Sequence, residues 1–303
     1  MIAEVAERRF QDTPALELRS GPLRATFVPG VGMTGVSLRR DGREHLALPG
    51  GVDALRAGRT GGLPLLAPWA NRLSARRYRV GGVDVSVRGR HVHTDDNGLP
   101  IHGLLVGWPD WEVTFAGVRR GVALVTATTI VDQPSFPFPH LLEVAVALHD
   151  DGLVVDTTVV PTGDREVPAA WGWHPYLRVP GTPRSRWTLR LPAREHLALD
   201  ERGIPTGEST RESSEADVVG RRTFDDLYRL GRDRRLSFTG EDGASVEMRG
   251  NPHYPYAQVW VPAGKPFAAL EPMAAPTDAL VTGDVHRVKP GDSFTARFTL
   301  TLH

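Results

Sequence analysis

Turn-forming residues constrain this chain more than any other feature. Its 303 residues include 32 glycines and 25 prolines, spread from end to end. They cut the chain into short runs rich in Val, Leu, Thr and Phe, the pattern of strands joined by turns. No apolar period of 3.6 residues persists for three turns between them, so a helical bundle is excluded. The chain is expected to be all-β.

Individual segments support this class. Residues 14–29 alternate apolar and polar side chains around Ser20-Gly21-Pro22, which predicts a hairpin. Residues 76–85 predict a second hairpin around Gly81-Gly82, and Asp41-Gly42 marks another tight turn. Glu143-Val144-Ala145-Val146-Ala147-Leu148 alternates as a sheet with one buried face does. Residues 186–220 read as polar and irregular. Phe224-Asp225-Asp226-Leu227-Tyr228 reads as a helix start or a turn. No linker, repeat or low-complexity stretch divides the chain, so a single domain over residues 1–303 is expected.

Acidic and basic residues balance at 36 each, which gives no sign of a nucleic-acid or anionic-membrane partner. The absence of cysteine excludes disulfides, thiolate catalysis and cysteine-ligated metals. The stretch from Met1 to Arg9 is charged, without the apolar core of a signal sequence. No apolar run approaches the roughly 20 residues that cross a bilayer. A cytoplasmic protein, monomeric or homodimeric, is the expectation.

Several polar residues sit where chemistry is possible. In Trp171-Gly172-Trp173-His174-Pro175-Tyr176-Leu177, proline biases the preceding histidine toward extended backbone. Aromatics beside His174 form either an apolar wall for a ring-shaped ligand or a core cluster around a structural histidine. Glu271 follows an apolar run and precedes Pro272, where partial burial shifts a carboxyl pKa. Asn71-Arg72 ends another apolar run, either as a solvated turn or as a set of donors lining a cleft. Gly103 lets the backbone turn sharply after His102, or lets a ligand approach. Either Asp225 or Asp226 is able to enter a pocket, and Gln258 places an amide in mid-strand. His91 and His93 share one side of an extended segment, as metal ligands do, but no partner carboxylate pattern accompanies them. Asp95-Asp96-Asn97-Gly98 reads as a turn.

Taken in order, the motifs resemble the aldose 1-epimerase (galactose mutarotase) family. They are Pro68-Trp69-Ala70-Asn71-Arg72-Leu73, His102-Gly103, Gly172-Trp173-His174-Pro175-Tyr176, Phe224-Asp225-Asp226-Leu227-Tyr228, Gln258-Val259-Trp260 and Leu270-Glu271-Pro272. Val28-Pro29-Gly30 near the start and Lys289-Pro290-Gly291 near the end also fit. The resemblance implies a large antiparallel β-sandwich with a concave sugar-binding face. It implies interconversion of the α and β anomers of a monosaccharide by acid–base chemistry, with no cofactor and no metal. Glu271 would be the base and His174 the acid, ionised and protonated respectively in the free enzyme. Arg72, His102, Asp225 or Asp226, and Gln258 would hold sugar hydroxyls. Asn71 would shape the same wall, and Trp173 or Trp260 would face the ring. A neighbouring branch of the family acts on hexose 6-phosphates through arginines. A sugar-binding module that has lost turnover is a further alternative.

Overall fold

The computed structural model describes residues 3–303, so the first two residues of the charged N-terminal stretch lie outside it. Regular secondary structure among the described residues is nearly all strand, with only short helical turns such as Gly51–Arg56 and Ala279–Thr282. No helix among the described residues is long and apolar enough to cross a membrane.

Two large antiparallel sheets pack face to face. The first has nine strands, and its four longest are Val122–Gln133, Phe136–Leu148, Gly152–Pro161 and Phe294–Leu302. The last of these pairs with Gly152–Pro161 on one side and Ser245–Gly250 on the other, so the end of the chain completes the middle of the sheet. Alternation dictates the buried face. In Phe136–Leu148 every second residue is buried, from Phe136 through Leu142, Val144 and Val146 to Leu148. The second sheet has eight strands, among them Leu65–Leu66, Gly172–Trp173, Ala268–Met273, Tyr256–Val261 and Phe224–Leu230. Ala257, Val259 and Val261 point from it into the core, as do Ala268 and Leu270. A five-stranded sheet from residues 4–44 covers part of the nine-stranded one.

Both predicted hairpins form: Thr13–Ser20 pairs with Leu23–Val28, and Arg77–Val80 with Val83–Ser86. Two sequence expectations fail. Residues 186–220 are ordered strand over Thr188–Leu191, Arg194–Leu199, Pro205–Glu212 and Glu215–Val218. Much of this ribbon is exposed on both faces, as Pro205–Glu212 shows, so it lacks the apolar alternation that marks half-buried strands. Phe224–Leu230 is a strand and neither helix nor turn; its two aspartates separate because successive side chains point to opposite faces.

Candidate active site

The face of the eight-stranded sheet turned away from the core floors a cleft of about 160 Å³. Strand register places one wall. Gln258 lies opposite Glu271 across two paired strands, and Asp225 lies opposite Trp260 across the next pair. Residues directly opposite share a face, so these four side chains converge. Gln258 Nε2 donates to Asp225 Oδ1 at 2.7 Å.

His174 arrives by a different route. Its N–H donates to the Pro64 carbonyl at 3.1 Å, and that of Tyr176 to the Gly62 carbonyl at 2.8 Å. These bonds pin the extended segment beside Ala268–Met273, where Tyr176 and Leu177 also pair. Alternation sends His174 and Tyr176 toward the cleft and Trp173 into the core. Trp173 is fully buried and donates from Nε1 to Thr157 Oγ1 at 2.9 Å. Trp173 therefore does not face a ligand, and Trp260 takes that place in the cleft lining. The Tyr176 ring stacks on the His174 imidazole at 4.6 Å, and its hydroxyl meets Thr60 Oγ1 at 2.6 Å.

The opposite wall is made of turns. Asn71 and His102 both adopt left-handed backbone, with φ of 55° and 63°. The His102 N–H donates to the Asn71 carbonyl at 3.0 Å, tying the two turns together. Gly103 makes this approach possible: at φ 72°, an added Cβ would lie 2.1 Å from the Ala67 carbonyl oxygen. The glycine serves close backbone approach and not ligand access. Arg72 donates from Nε to Asp95 Oδ2 at 2.8 Å and from Nη1 to Asn71 Oδ1 at 3.1 Å. Its Nη2 stands 3.9 Å from Asp225 Oδ2.

Asn71, Arg72, His102, His174, Gln258 and Glu271 line this one cleft, and of the two aspartates left open by the sequence Asp225 does, together with Ile101, Tyr176 and Trp260. Asp226 does not. It faces the other side of its strand, with Oδ1 3.4 Å from His196 Nε2, and its Oδ2 accepts from Tyr228 OH at 3.4 Å. His91 lies in a turn and His93 in the irregular segment after it, neither on a strand. His91 sits edge-on to Trp108, and His93 packs on Gly58. The Asp95–Gly98 turn forms as expected, but the grip of Asp95 on Arg72 had no local signal in the sequence.

At the cleft floor, His174 Nε2 and Glu271 Oε1 stand 3.2 Å apart, both side chains almost wholly buried. Burial pushes the Glu271 carboxyl well above the ordinary carboxylate range, and the nearby Asp225 charge adds to this, while Arg72 opposes it. Burial also pulls the His174 imidazole down to about 3. Both groups are thus driven toward their neutral forms, and the pair holds a single proton over a wide span of pH. This corrects the expectation of a separately ionised glutamate and protonated histidine. Moving the proton across the 3.2 Å contact interconverts the neutral and charged forms of the pair. Burial likewise holds His102 well below its ordinary range, and the Arg72 charge adds to this. Among the described residues, three buried polar atoms of cleft-lining side chains have no hydrogen-bond partner: His102 Nδ1, His174 Nδ1 and Gln258 Oε1. Unpartnered groups at this density mark a place that a polar ligand completes.

Sheet order and strand geometry put the chain among the galactose mutarotase-like β-sandwich proteins. It superposes on a galactose mutarotase-like protein from Clostridium acetobutylicum with a TM-score of 0.88 at 21% identity, covering 99% of this chain and 98% of the other. Against galactose 1-epimerase from Lactobacillus acidophilus NCFM the TM-score is 0.78 at 14% identity, with 99% and 98% covered. Identities this low speak for the fold alone. The sequence itself belongs to the aldose 1-epimerase family, whose profile matches residues 16–301. Over 285 residues it is 26% identical to the protein YihR of Escherichia coli K12, covering 88% of this chain and 86% of that one.

Proposed function

We propose that this protein is an aldose 1-epimerase that interconverts the α and β anomers of an uncharged monosaccharide. The observation that carries this reading is the buried His174–Glu271 pair on the floor of a polar cleft. Mutarotation needs one proton removed from the C1 hydroxyl and one delivered to the ring oxygen as the C1–O bond breaks. The open-chain aldehyde then turns about its C1–C2 bond, and the reverse transfers close the ring on the other face. Both oxygens are bonded to C1, so acid and base must be neighbours. A pair that shares one proton holds the complement the reaction needs and returns to its starting state after each turnover.

With the shared proton on His174, in the charged form of the pair, Glu271 is the base and His174 the acid. Arg72, His102, Asp225 and Gln258 bind hydroxyls, Asn71 shapes their wall, and Trp260 faces the ring. A sugar hydroxyl both donates and accepts, which suits Gln258 Oε1 and the free imidazole nitrogens. The same groups support a sugar over its 6-phosphate. Among the described residues, Arg72 is the one guanidinium lining the cleft, and Asp95 already holds it.

The test is polarimetry with a panel of freshly dissolved α-anomers and their 6-phosphates. Acceleration of the free sugars above the spontaneous rate is expected, with little or none for the phosphates. No acceleration of any sugar would remove the reading in favour of a binding module.

A further inference from the structure

We propose that Asp95 is the positioning residue of the cleft: it orients Arg72 toward sugar hydroxyls and, by cancelling the guanidinium charge, makes the cleft reject phosphorylated sugars. This rests on the epimerase reading above and specifies its substrate class.

Asp95 is built into the loop that carries His102. Its Oδ1 accepts from the N–H groups of Asn97 at 3.0 Å and Leu99 at 2.9 Å. The loop closes on itself through Asp95 N–H to the Leu99 carbonyl at 3.0 Å. One carboxylate oxygen therefore folds the turn, and the other is left for Arg72 Nε at 2.8 Å. Only 7% of the Asp95 side chain is exposed, so the contact is shielded from water and weakly screened by salt. Burial works against the charge, and the bonds from Leu99, Arg72 and Asn97 outweigh it, holding the carboxyl below its usual range.

The consequence for Arg72 is directional. A guanidinium has five N–H donors in a rigid fork. Asp95 takes the one on Nε, and Asn71 takes one on Nη1. From the other side the loop at Gly203 closes down, where an added Cβ would sit 2.8 Å from Nη1. Nη2, beyond hydrogen-bond reach of Asp225, is the end left to meet a ligand. Its charge is balanced within the protein. A phosphate entering here would meet the Asp225 carboxylate with no cation to spare, whereas a hydroxyl needs only the donor. Charge selection of this kind works by an unfavourable juxtaposition built against the wrong ligand.

The test uses Asp95→Asn, which keeps the Oδ1 acceptor that folds the turn and removes the charge. Asp96→Asn, on the exposed neighbour, makes the same change in net charge without touching Arg72. Binding of inorganic phosphate is followed by tryptophan fluorescence, since Trp260 lines the cleft. Mutarotation of α-galactose is measured in the same samples. For Asp95→Asn, phosphate affinity should rise at least about tenfold, the scale of a close charge pair. KM for galactose should rise while kcat holds, and phosphate should become a competitive inhibitor. Asp96→Asn should match the wild type. Unchanged phosphate affinity in Asp95→Asn, or an equal gain in Asp96→Asn, overturns the proposal. A wild type that fails to turn over sugar while the Asp95→Asn gain persists removes the epimerase reading and upholds the role of Asp95.

Discussion

One wall of the cleft is carried by strands and the other by turns, and the two are secured differently. Asp225, Gln258, Trp260 and Glu271 stand on three neighbouring strands whose register fixes them relative to one another. A slip of one residue would send every one of them to the core face, so the whole sheet guards their position. Asn71, Arg72 and His102 stand on irregular segments, Asn71 and His102 in left-handed backbone, tied by local contacts such as His102 N–H to the Asn71 carbonyl and Arg72 to Asp95. Precision on the strand wall is collective. On the turn wall it depends on a few particular atoms. His174 bridges the two, on a short extended segment held by Pro64 and Gly62.

This contrast predicts that the largest losses come from chemistry at the floor and the next from single atoms of the turn wall. His174→Asn should lower kcat by about 10²–10⁴-fold with little change in sugar affinity, by loss of one proton carrier. Combined with Glu271→Gln it should be little worse than either change alone, because the two residues act as a unit. In the wild type, the pair keeps its single proton from about pH 3, where burial has placed His174, up to the raised pKa of Glu271. The kcat/KM profile should therefore show its acid limb far below the usual histidine range, with no His174 limb near 6.5. A limb at 6.5 assigned to His174 would contradict the burial argument.

Gly103→Ala should destabilise the fold by roughly 2 kcal/mol or more. It combines a left-handed alanine with overlap against a backbone carbonyl that no side-chain rotation relieves. Thermal unfolding measures this, and a melting curve like that of the wild type would show that the turn wall yields more easily than its contacts suggest. Arg72→Ala should raise KM by about tenfold or more with kcat largely kept, since a charged hydrogen bond is worth about 1.5–3 kcal/mol. A fall in kcat alone would move Arg72 from binding into chemistry. The smallest effect belongs to Asp226→Asn. Facing away from the cleft, it should leave both kinetic constants unchanged, whereas Asp225→Asn raises KM. Equal effects at the two positions would break the strand-face assignment.

The sheets away from the cleft were legible in sequence because period-two alternation and turn residues carry their own signal, whereas Phe224–Leu230 of the strand wall read as a helix start or a turn. Glu143–Leu148 and the hairpin at Ser20-Gly21-Pro22 show this directly. The choice between Asp225 and Asp226 was not legible, since it turns on the pairing of Asp225 with Trp260, a contact no local pattern encodes. Trp173 and Trp260 were equally open for the same reason, and the core took the first. On the turn wall, Asn71-Arg72 and His102-Gly103 stood out only as motifs. What joins them is the close passage of Gly103 to Ala67 and the reach of Asp95 to Arg72 across 23 positions. Pro205–Glu212, within the polar stretch 186–220, stayed hidden because a strand exposed on both faces lacks an apolar stripe.

In the proposed reaction the buried pair moves protons between C1–OH and the ring oxygen. It is tested most directly at equilibrium, by exchange spectroscopy on a settled mixture of α- and β-galactose with wild-type protein and with Glu271→Gln. The glutamine keeps the shape and cannot accept a proton. Fast α–β exchange is expected with the wild type and a rate about 10²–10⁴-fold lower with the variant, while sugar binding persists. Equal exchange by the two proteins, after subtraction of the uncatalysed rate, would contradict it.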